Sequence, residues 1–564
     1  MTVQIDAERG GDHGHDQVKN SDVTTDEKGT DVSKDSSPSP PADRGGGPVY
    51  LKGARFWSIC LSIAIMMFMT NLEVPVVTTA LVSITDALGG FDQVGWVVSS
   101  YLLGYVAVIV IFAKFSDLLG RKMVFILSVA LFVIFSAACS AAQTIVQLIV
   151  FRALQGMGGG GCFSLCTIMI TELVPPEERP KYVSYVSLTN AIALLCGPIV
   201  GGGITSSISW RWIFIINVPI ATPVLVIAYL AIPHDFPFQG QAHPHSKGIK
   251  TMFTRSNFDR LDIPGTLLLL CATVGLTAGF EEADNRFPWK SAYVITLVTV
   301  SGILWIALVL WERHVTLAAT IREPILPWTF LSRRQMLGTM LNFAFLGGPT
   351  IITIFIVPQR FQLVYGLSGL QAGVRLIPFT LAIAFGSVFG STLASKRKIP
   401  PIYLVLVGSC LQVIAFALLS NLSLDLKIAP KIYGFEIIAG WGCGINFALL
   451  FIMVPFLAGR RDHAVGLGTA AQMRMIGSAI VLAISTSVFN SYVRPEVAKL
   501  LNVPDAASAV LSGRFIATLE QGLQVEVRQI LAEGYNRQTL VLCISAALQI
   551  PASLMVLDKK PLTI

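Results

Sequence analysis

Leu148-Ile-Val-Phe-Arg152-Ala-Leu-Gln155-Gly156-Met-Gly158-Gly159-Gly160-Gly161 is the stretch whose reading decides the fold. It sets an arginine, a glutamine and a run of glycines inside an otherwise apolar segment, Thr144 to Ile170. That segment is long enough to cross a bilayer as a helix, which takes about 20 apolar residues. A cation at mid-membrane costs at least about 2.5–3.5 kcal/mol on insertion scales, so it needs a partner, a water-filled cavity or a function. Glycine weakens a helix in water, but in lipid it lets a second backbone approach closely. A buried charge beside a close-packing helix face is the signature of a transporter core.

The pattern recurs downstream. Phe151, Arg152, Gly156, Gly158 and Gly160 match Phe435, Glu436, Gly440, Gly442 and Gly444, each pair 284 positions apart. Two segments with one pattern imply a chain built from two related halves, as in transporters with parallel repeats. Where one half carries Arg152 the other carries Glu436, a candidate second acidic site.

Composition agrees. Of 564 residues, 53% are hydrophobic and 13% charged, against about 25% charged in soluble domains. The net charge of +7 does not point to nucleic acid, because the basic residues sit mostly in short loops between apolar spans. The nine cysteines fall in or at the ends of apolar segments and read as small apolar residues. Cys162 and Cys166 are one helical turn apart, with no histidine or carboxylate at zinc spacing beside them, so neither a metal nor a cofactor is expected. Residues 1–54 form a polar tail, expected to be disordered. A cleaved signal peptide is not expected, and the first span is expected to act as an uncleaved anchor.

About fourteen apolar segments follow. The first six, near 57–80, 93–113, 123–143, 144–170, 183–205 and 213–232, make an N-terminal six-helix bundle over 55–232. A loop at 233–262 leads to two extra spans within 263–311, and a second loop occupies 312–334. The last six, near 335–358, 371–394, 401–420, 432–457, 464–490 and 538–557, make a C-terminal six-helix bundle over 335–557, and 558–564 is a tail. Short-loop charges set the orientation. Arg121 and Lys122, Arg179 and Lys181, Lys247, Lys250, Arg255 and Arg260, Arg333 and Arg334, Lys396-Arg397-Lys398 and Arg460-Arg461 fall on one side with both termini, which is read as cytoplasmic. On the opposite side, Asn421-Leu-Ser423 is a glycosylation sequon. The long segment 491–537 is read as exterior, with short amphipathic helices suggested by Phe515-Ile-Ala-Thr-Leu-Glu-Gln-Gly-Leu523.

Four further motifs carry chemistry. In Ala113-Lys-Phe-Ser-Asp117-Leu-Leu-Gly120-Arg121-Lys122, between the second and third spans, Asp117 sits at a helix end where a carboxylate caps the helix and pairs with a basic neighbour. Gly120 permits a tight turn, and Arg121 and Lys122 hold the loop inside. The turn resembles the G-x-L-x-D-R-x-G-R-K signature of the major facilitator superfamily, with Ala113 for its first glycine and Leu118 where a basic residue is common. The Arg152–Gln155–Gly156 stretch is similar to that superfamily's proton-coupling motif R-x-x-Q-G. Leu195-Cys-Gly197-Pro198-Ile-Val-Gly201-Gly202-Gly203 resembles its antiporter motif G-P-x-x-G-G, which implies export. Leu72-Glu73-Val-Pro75-Val-Val-Thr-Thr-Ala80-Leu81 resembles the first-span motif of drug:proton antiporters, with Glu73 as the acid, and Trp210-Arg-Trp-Ile-Phe-Ile-Ile-Asn217-Val-Pro219 looks like that group's entry to the sixth span. Fourteen spans place the resemblance with the fourteen-span drug:proton antiporters of the fungal toxin and multidrug efflux type. It implies an all-α membrane fold of two six-helix bundles plus two extra transmembrane helices.

Depth supports an acid–base pair. Glu73 lies eight residues before Leu81 on an outward span, and Arg152 eight residues after Thr144 on an inward one. At 1.5 Å per residue both sit about 12 Å from the exterior end. A contact is therefore within reach if the two helices are neighbours, as the resemblance implies. A carboxylate favours its neutral form when buried and its charged form beside a guanidinium, so relative movement of Arg152 makes Glu73 take or release a proton. Gly197-Pro198 is expected to bend the fifth span, and Gly201 to Gly203 to pack tightly. Arg375 and Arg474 lie near span ends, where anchoring is the commoner role. Phe361, Gln362 and Asn342 are candidate cavity residues.

These readings converge on a proton-coupled exporter of a hydrophobic small molecule such as a fungal toxin, secondary metabolite or drug. Its partners are the lipid bilayer, that substrate and protons, and a monomer is expected. The expected site is the cell membrane, with the vacuolar membrane as alternative. A proton-coupled carrier of siderophore-iron or basic amino acids is the second reading, and a non-transporting membrane receptor the third. No G-x-x-x-x-G-K-[ST], H-E-x-x-H or G-x-S-x-G motif is present, so ATP-driven pumping and enzyme activity are not expected.

Overall fold

The computed structural model describes residues 50–89, 94–233, 236, 260, 262–283, 287–318, 322–367, 369–459, 462–501, 516, 519–558 and 562. The expected tail at 1–54, most of the loop at 233–262, the Arg460-Arg461 pair and Phe515 thus lie largely or wholly outside the described residues.

Among the described residues, fourteen helices are long and apolar enough to cross a membrane. They are α1 (Ala54–Leu88), α2 (Val94–Leu119), α3 (Arg121–Ala141), α4 (Ile145–Leu173), α5 (Arg179–Ser207), α6 (Arg211–Ala231), α7 (Ile263–Glu282), α8 (Ala292–Leu317), α9 (Arg334–Leu363), α10 (Gln371–Arg397), α11 (Pro401–Ser420), α12 (Lys431–Ala458), α13 (His463–Leu501) and α14 (Gln521–Val556). The described residues contain no β-strand. In lipid every backbone polar group must be satisfied within its segment, and helices do this.

The two halves repeat each other in their packing. In α1–α6, helix pairs α2·α4, α3·α4, α1·α5, α3·α6 and α1·α6 are in contact; their counterparts in α9–α14, namely α10·α12, α11·α12, α9·α13, α11·α14 and α9·α14, are too. Across the halves α2 meets α13 and α5 meets α10, a reciprocal pair of crossings. The extra helices pack on each other, and α7 also lies against α2 and α13.

The repeated glycines explain this symmetry. A Cβ on Gly156 or Gly160 of α4 would strike the backbone of Tyr101 or Tyr105 on α2. A Cβ on Gly440 or Gly444 of α12 would strike Phe379 or Ile383 on α10. Gly158 and Gly442 face α3 and α11 in the same way. Each inner helix is thus clamped between two neighbours at a separation that side chains would forbid.

Breaks in the helices follow local chemistry. Pro219 cannot donate to the Ile215 carbonyl, and α6 is interrupted at Ile216 before restarting at Asn217. Gly347-Gly348-Pro349 introduces a π-helical turn, Gly348–Ile352, into α9. By contrast α5 runs without interruption through Gly197 and Pro198.

Two expected boundaries change. Helix α8 continues to Leu317, past 311, and the segment expected as short exterior helices is in its described parts a continuation of α13 to Leu501 and of α14 back to Gln521. Pairs one turn apart, Lys499 with Glu496 and Arg537 with Glu533, support those extensions beyond the apolar windows.

Candidate functional site

Two sites adjoin each other, one inside the N-terminal half and one between the halves. The first is the buried acid–base pair. Thr144 caps α4 by accepting from the Gln147 amide, and two turns on the helix delivers Arg152 to the interior with no exposure. Glu73, on α1 one residue before Val74-Pro75, is 2% exposed. Arg152 Nη1 donates to Glu73 Oε1 at 2.5 Å. Gln155 Nε2 donates to the same oxygen at 2.9 Å, and Asn217 Nδ2 donates to Oε2 at 2.9 Å. Arg152 also donates from Nε to the Val97 carbonyl at 3.0 Å and from Nη1 to Gln155 Oε1 at 2.8 Å. Its Nη2 has no hydrogen-bond partner. Ser136 Oγ on α3 accepts from Gln155 at 2.7 Å. Helices α4 and α6 thus bond the carboxylate carried by α1, and α2 and α3 hold its partners in place. Glu73 and Arg152 meet, a contact that their equal depth allowed, and Gln155 joins them; Asn217 and Ser136 complete the set and were not singled out from the sequence, although Asn217 lies inside the Trp210–Pro219 motif.

The second site is a central cavity of about 190 Å³ between the halves, lined by residues of α1, α2, α5, α7, α9, α10, α12 and α13. Tyr101 belongs to both sites. Its ring faces the cavity, while the Arg152 guanidinium stacks on it at 4.2 Å from the centroid and its hydroxyl donates to the Thr70 carbonyl at 3.3 Å. A single aromatic ring thus separates the ion pair from the cleft. The walls are largely apolar (Phe355, Phe447, Met475), with Asn71 on α1 bonded to Asn190 on α5 at 3.0 Å. Of the expected cavity residues, none lines this space: Gln362 is exposed, Asn342 is buried against Gly338 and Ser553, and Phe361 lines a separate, smaller cavity.

The turn between α2 and α3 forms a tight cluster. Gly120 has φ +88°, a conformation other residues adopt only with strain. Arg121 then folds back to Asp117 at 2.6 Å and grips Glu172 at the end of α4 with two bonds of 2.8 and 3.0 Å. Lys122 lies 5.1 Å over the Tyr229 ring. Ala113, where the signature has glycine, faces Gly468 on α13: a Cβ at 468 would come within 2.8 Å of the Ala113 methyl. In this interhelical contact the glycine is thus on α13, in the other half.

Next to it, Lys114 on α2 pairs at 2.9 Å with Glu323, which lies between α8 and α9 and also bonds Arg260. Burial alone would raise the Glu323 carboxyl, but Lys114 and Arg260 outweigh it and hold it down at about 2. A depressed carboxyl contributes stability that is fully present above its unfolded value of about 4.3 and is lost as pH falls from there toward 2. Glu323→Gln is therefore expected to destabilise the protein at pH 7 by roughly 1–3 kcal/mol, as for hydrogen bonds to charged groups. The lower part of that range applies, because the Arg260 side chain is 31% exposed. Thermal unfolding in detergent checks this: the wild-type and variant curves should converge below pH 4, and an equal gap at pH 3 and pH 7 contradicts it.

In the fifth span only two of the motif glycines make close contacts. Gly197 meets Pro75, and Gly201 meets Thr79 and Val76, all on α1, whereas a Cβ on Gly202 or Gly203 meets nothing within 4 Å. The expected packing role of Gly202 and Gly203 is thus corrected: one turn separates the two contacting glycines, and their neighbours point away from α1.

Glu436 is fully buried, not water-exposed near a span end. Neither of its carboxylate oxygens has a hydrogen-bond partner, and it lines the smaller cavity with Arg360, Phe361 and Thr353 of α9. Arg360 Nη1 donates to Asn536 at 2.8 Å, while its Nε and Nη2 are unpartnered. The C-terminal half thus sets a carboxylate on its fourth helix and a guanidinium on its first around one small cavity, with no ion pair between them. Arg375 bonds Tyr433, in the anchoring role expected of it. Asn421 is exposed just past α11, with Nδ2 donating to the Ala417 carbonyl at 2.8 Å. Among the described residues no cluster of His, Cys, Asp or Glu is arranged to hold a metal ion.

Comparison with known proteins agrees with this architecture. The family model described as Major Facilitator Superfamily matches residues 59–482. The "MFS-type transporter FPY5" of Fusarium mangiferae is 35% identical over 514 residues, covering 91% of this chain and 85% of that protein. The "Efflux pump FUS6" of Gibberella fujikuroi is 29% identical over 520 residues, covering 89% of each. Among solved structures, a bacterial homolog to the human lysosomal transporter Spinster superposes with a TM-score of 0.53 at 16% identity, covering 90% of this chain and 98% of that one. With fourteen apolar helices among the described residues, twelve of them in two mutually repeating six-helix bundles, and a family match over most of its length, the chain belongs to the Major Facilitator Superfamily, a family of multi-pass membrane transporters.

Proposed function

We propose that the protein is a proton-coupled efflux transporter that expels an apolar small molecule, and that Glu73 is the group that carries the proton. The observation that carries this reading is the Glu73–Arg152 contact of 2.5 Å, almost without exposure and one aromatic ring away from a cavity of substrate dimensions. In general a buried carboxylate favours its neutral form and a neighbouring guanidinium favours its charged form, so a carboxylate whose guanidinium neighbour can move is suited to exchanging a proton. Arg152 stays charged throughout. Protonation of Glu73 releases the guanidinium, which remains tethered to Val97 and Gln155 and stacked on Tyr101. Movement of that ring then changes the shape of the cavity wall. This is how proton binding and substrate binding exclude each other. The Gly197–Gly201 face on α1 and the similarity to an "Efflux pump" favour export.

The end bearing Arg121, Lys114 and Arg260 is assigned to the cytoplasm on the charge rule. There the Lys114–Glu323 pair, which ties α2 to the segment ahead of α9, acts as a latch that opens when the halves rock, while the Arg121–Asp117–Glu172 cluster, wholly within the N-terminal half, holds the turn beside it. Asn421 lies at the opposite face as a glycosylation candidate; attachment requires it to give up its bond to Ala417. Glu436, facing Arg360 in the smaller cavity, serves as a second titratable site.

Cells expressing the protein and loaded with a labelled lipophilic probe test the direction. Accumulation should fall below that of control cells and recover when a protonophore collapses the gradient. Accumulation above the control would overturn export in favour of uptake.

A further inference from the structure

The central cavity has a chemical bias that its apolar walls conceal. Among the residues lining it, Arg474 of α13 is the only one with a charged side chain. It was expected to anchor a span end, but it lies eleven residues into α13, past its first three turns, and the helix turns it to the interior at 7% exposure. No carboxylate among the described residues lies within ion-pair distance of it, and its Nε has no hydrogen-bond partner. A guanidinium removed from water without a counter-ion is expensive to keep. Among the described residues its neighbours are the faces of two aromatic rings, Phe447 at 5.3 Å and Phe163 at 5.9 Å, and the Tyr105 side chain, none of which carries a counter-charge.

The backbone beneath it is fixed. A Cβ on Gly347 would strike the Arg474 carbonyl, and one on Gly477 would strike Ala344, so α9 and α13 cross in close contact on either side of this residue. The nearest acid of the N-terminal site, Glu73, is not among the cavity residues and is already bound to Arg152. The cavity therefore presents one fixed positive charge, hydroxyl and amide groups such as Ser478 and Asn190, and no negative charge.

From this we infer that the transported molecule is an amphipathic organic anion: an apolar skeleton with one carboxylate or comparably acidic oxygen, which docks on Arg474. The inference rests on the reading of the cavity as the substrate site of an exporter. It specifies that reading further, because exchange of a monoanion for an inward proton moves two charges per cycle, whereas exchange of a monocation would move none.

Isothermal titration of the purified full chain in detergent, at pH 7, tests it with three matched probes: 1-naphthaleneacetate, its neutral primary amide, and 1-naphthylethylammonium. The wild type should bind the anion about tenfold or more tighter than the amide, the range expected of a charge-assisted pair, with the ammonium weakest. Arg474→Gln should remove the preference while leaving the amide affinity within about twofold, and Arg474→Lys should keep part of it. An anion affinity no better than the amide's, or below detection, overturns the inference, as does a preference that survives Arg474→Gln. The comparison among probes on the wild type stands even if a variant fails to fold. Because binding needs no proton gradient, anion preference in a protein whose export is insensitive to protons would sink the coupling reading alone. Proton-driven export of a cation without anion preference would sink this one alone.

Discussion

Glu73→Gln is expected to abolish proton-driven transport while leaving substrate exchange intact. Glutamine retains the shape and the hydrogen-bonding oxygen of the protonated acid but cannot ionise, so the variant is locked in one state of the proposed cycle. In proteoliposomes with the potential clamped at zero, one proton per substrate gives the wild type about a tenfold substrate ratio per pH unit, since one unit corresponds to 1.36 kcal/mol. The variant should give a ratio of one. Counterflow of substrate across equal pH should persist in it, because Arg152 keeps its bonds to Val97 and Gln155 and the cavity lacks Glu73 among its walls. Retained uphill transport in Glu73→Gln would transfer the proton role elsewhere, with Glu436 the first alternative, given its full burial and unpartnered oxygens. Loss of counterflow as well would mean that the pair orders the bundle instead of coupling it.

The second large effect is structural. Gly160→Val places its branched carbon against the Tyr105 backbone, whose carbonyl carbon and Cα lie 2.9 and 3.0 Å from the Cβ position. A backbone cannot rotate aside as a side chain can, so α2 and α4 must separate. Overpacking of this kind costs about 1–3 kcal/mol or more, and here it falls on the helix that holds Arg152 and Gln155. Size-exclusion chromatography should show loss of monodisperse protein, and any folded remainder should melt several degrees lower. Gly444→Val should behave alike, since it faces the Ile383 backbone in the other half. Gly202→Val is the contrast: nothing lies within 4 Å of its Cβ position, and yield and melting should stay near wild type. A Gly160→Val protein as stable as the wild type would remove the case for backbone contact along that seam.

The amino-acid sequence by itself determined the number of spans, the two-half plan and the depth of the charged residues. Span count follows from the length of apolar runs, which is a one-dimensional quantity. The 284-residue repeat is one too, because small residues one turn apart must mark a close helix contact whichever helix supplies it. Depth follows from counting residues along a helix of known rise, and that placed Glu73 level with Arg152. What only the tertiary structure decided is direction around each helix axis and where a helix stops relative to its apolar window. Glu436 reads as a residue near a span end, yet α12 turns it inward to Arg360. Arg474 reads as an anchor until α13 is seen to turn it toward the cavity. Gly202 belongs to the same motif as Gly201 but points away from α1. Asn217 and Tyr101, from the sixth and second helices, reach the Glu73–Arg152 pair only because helix crossings bring their faces together. Azimuth depends on how neighbouring helices pack, and in lipid, where apolar faces meet either tails or other helices at similar cost, the hydropathy pattern does not record it.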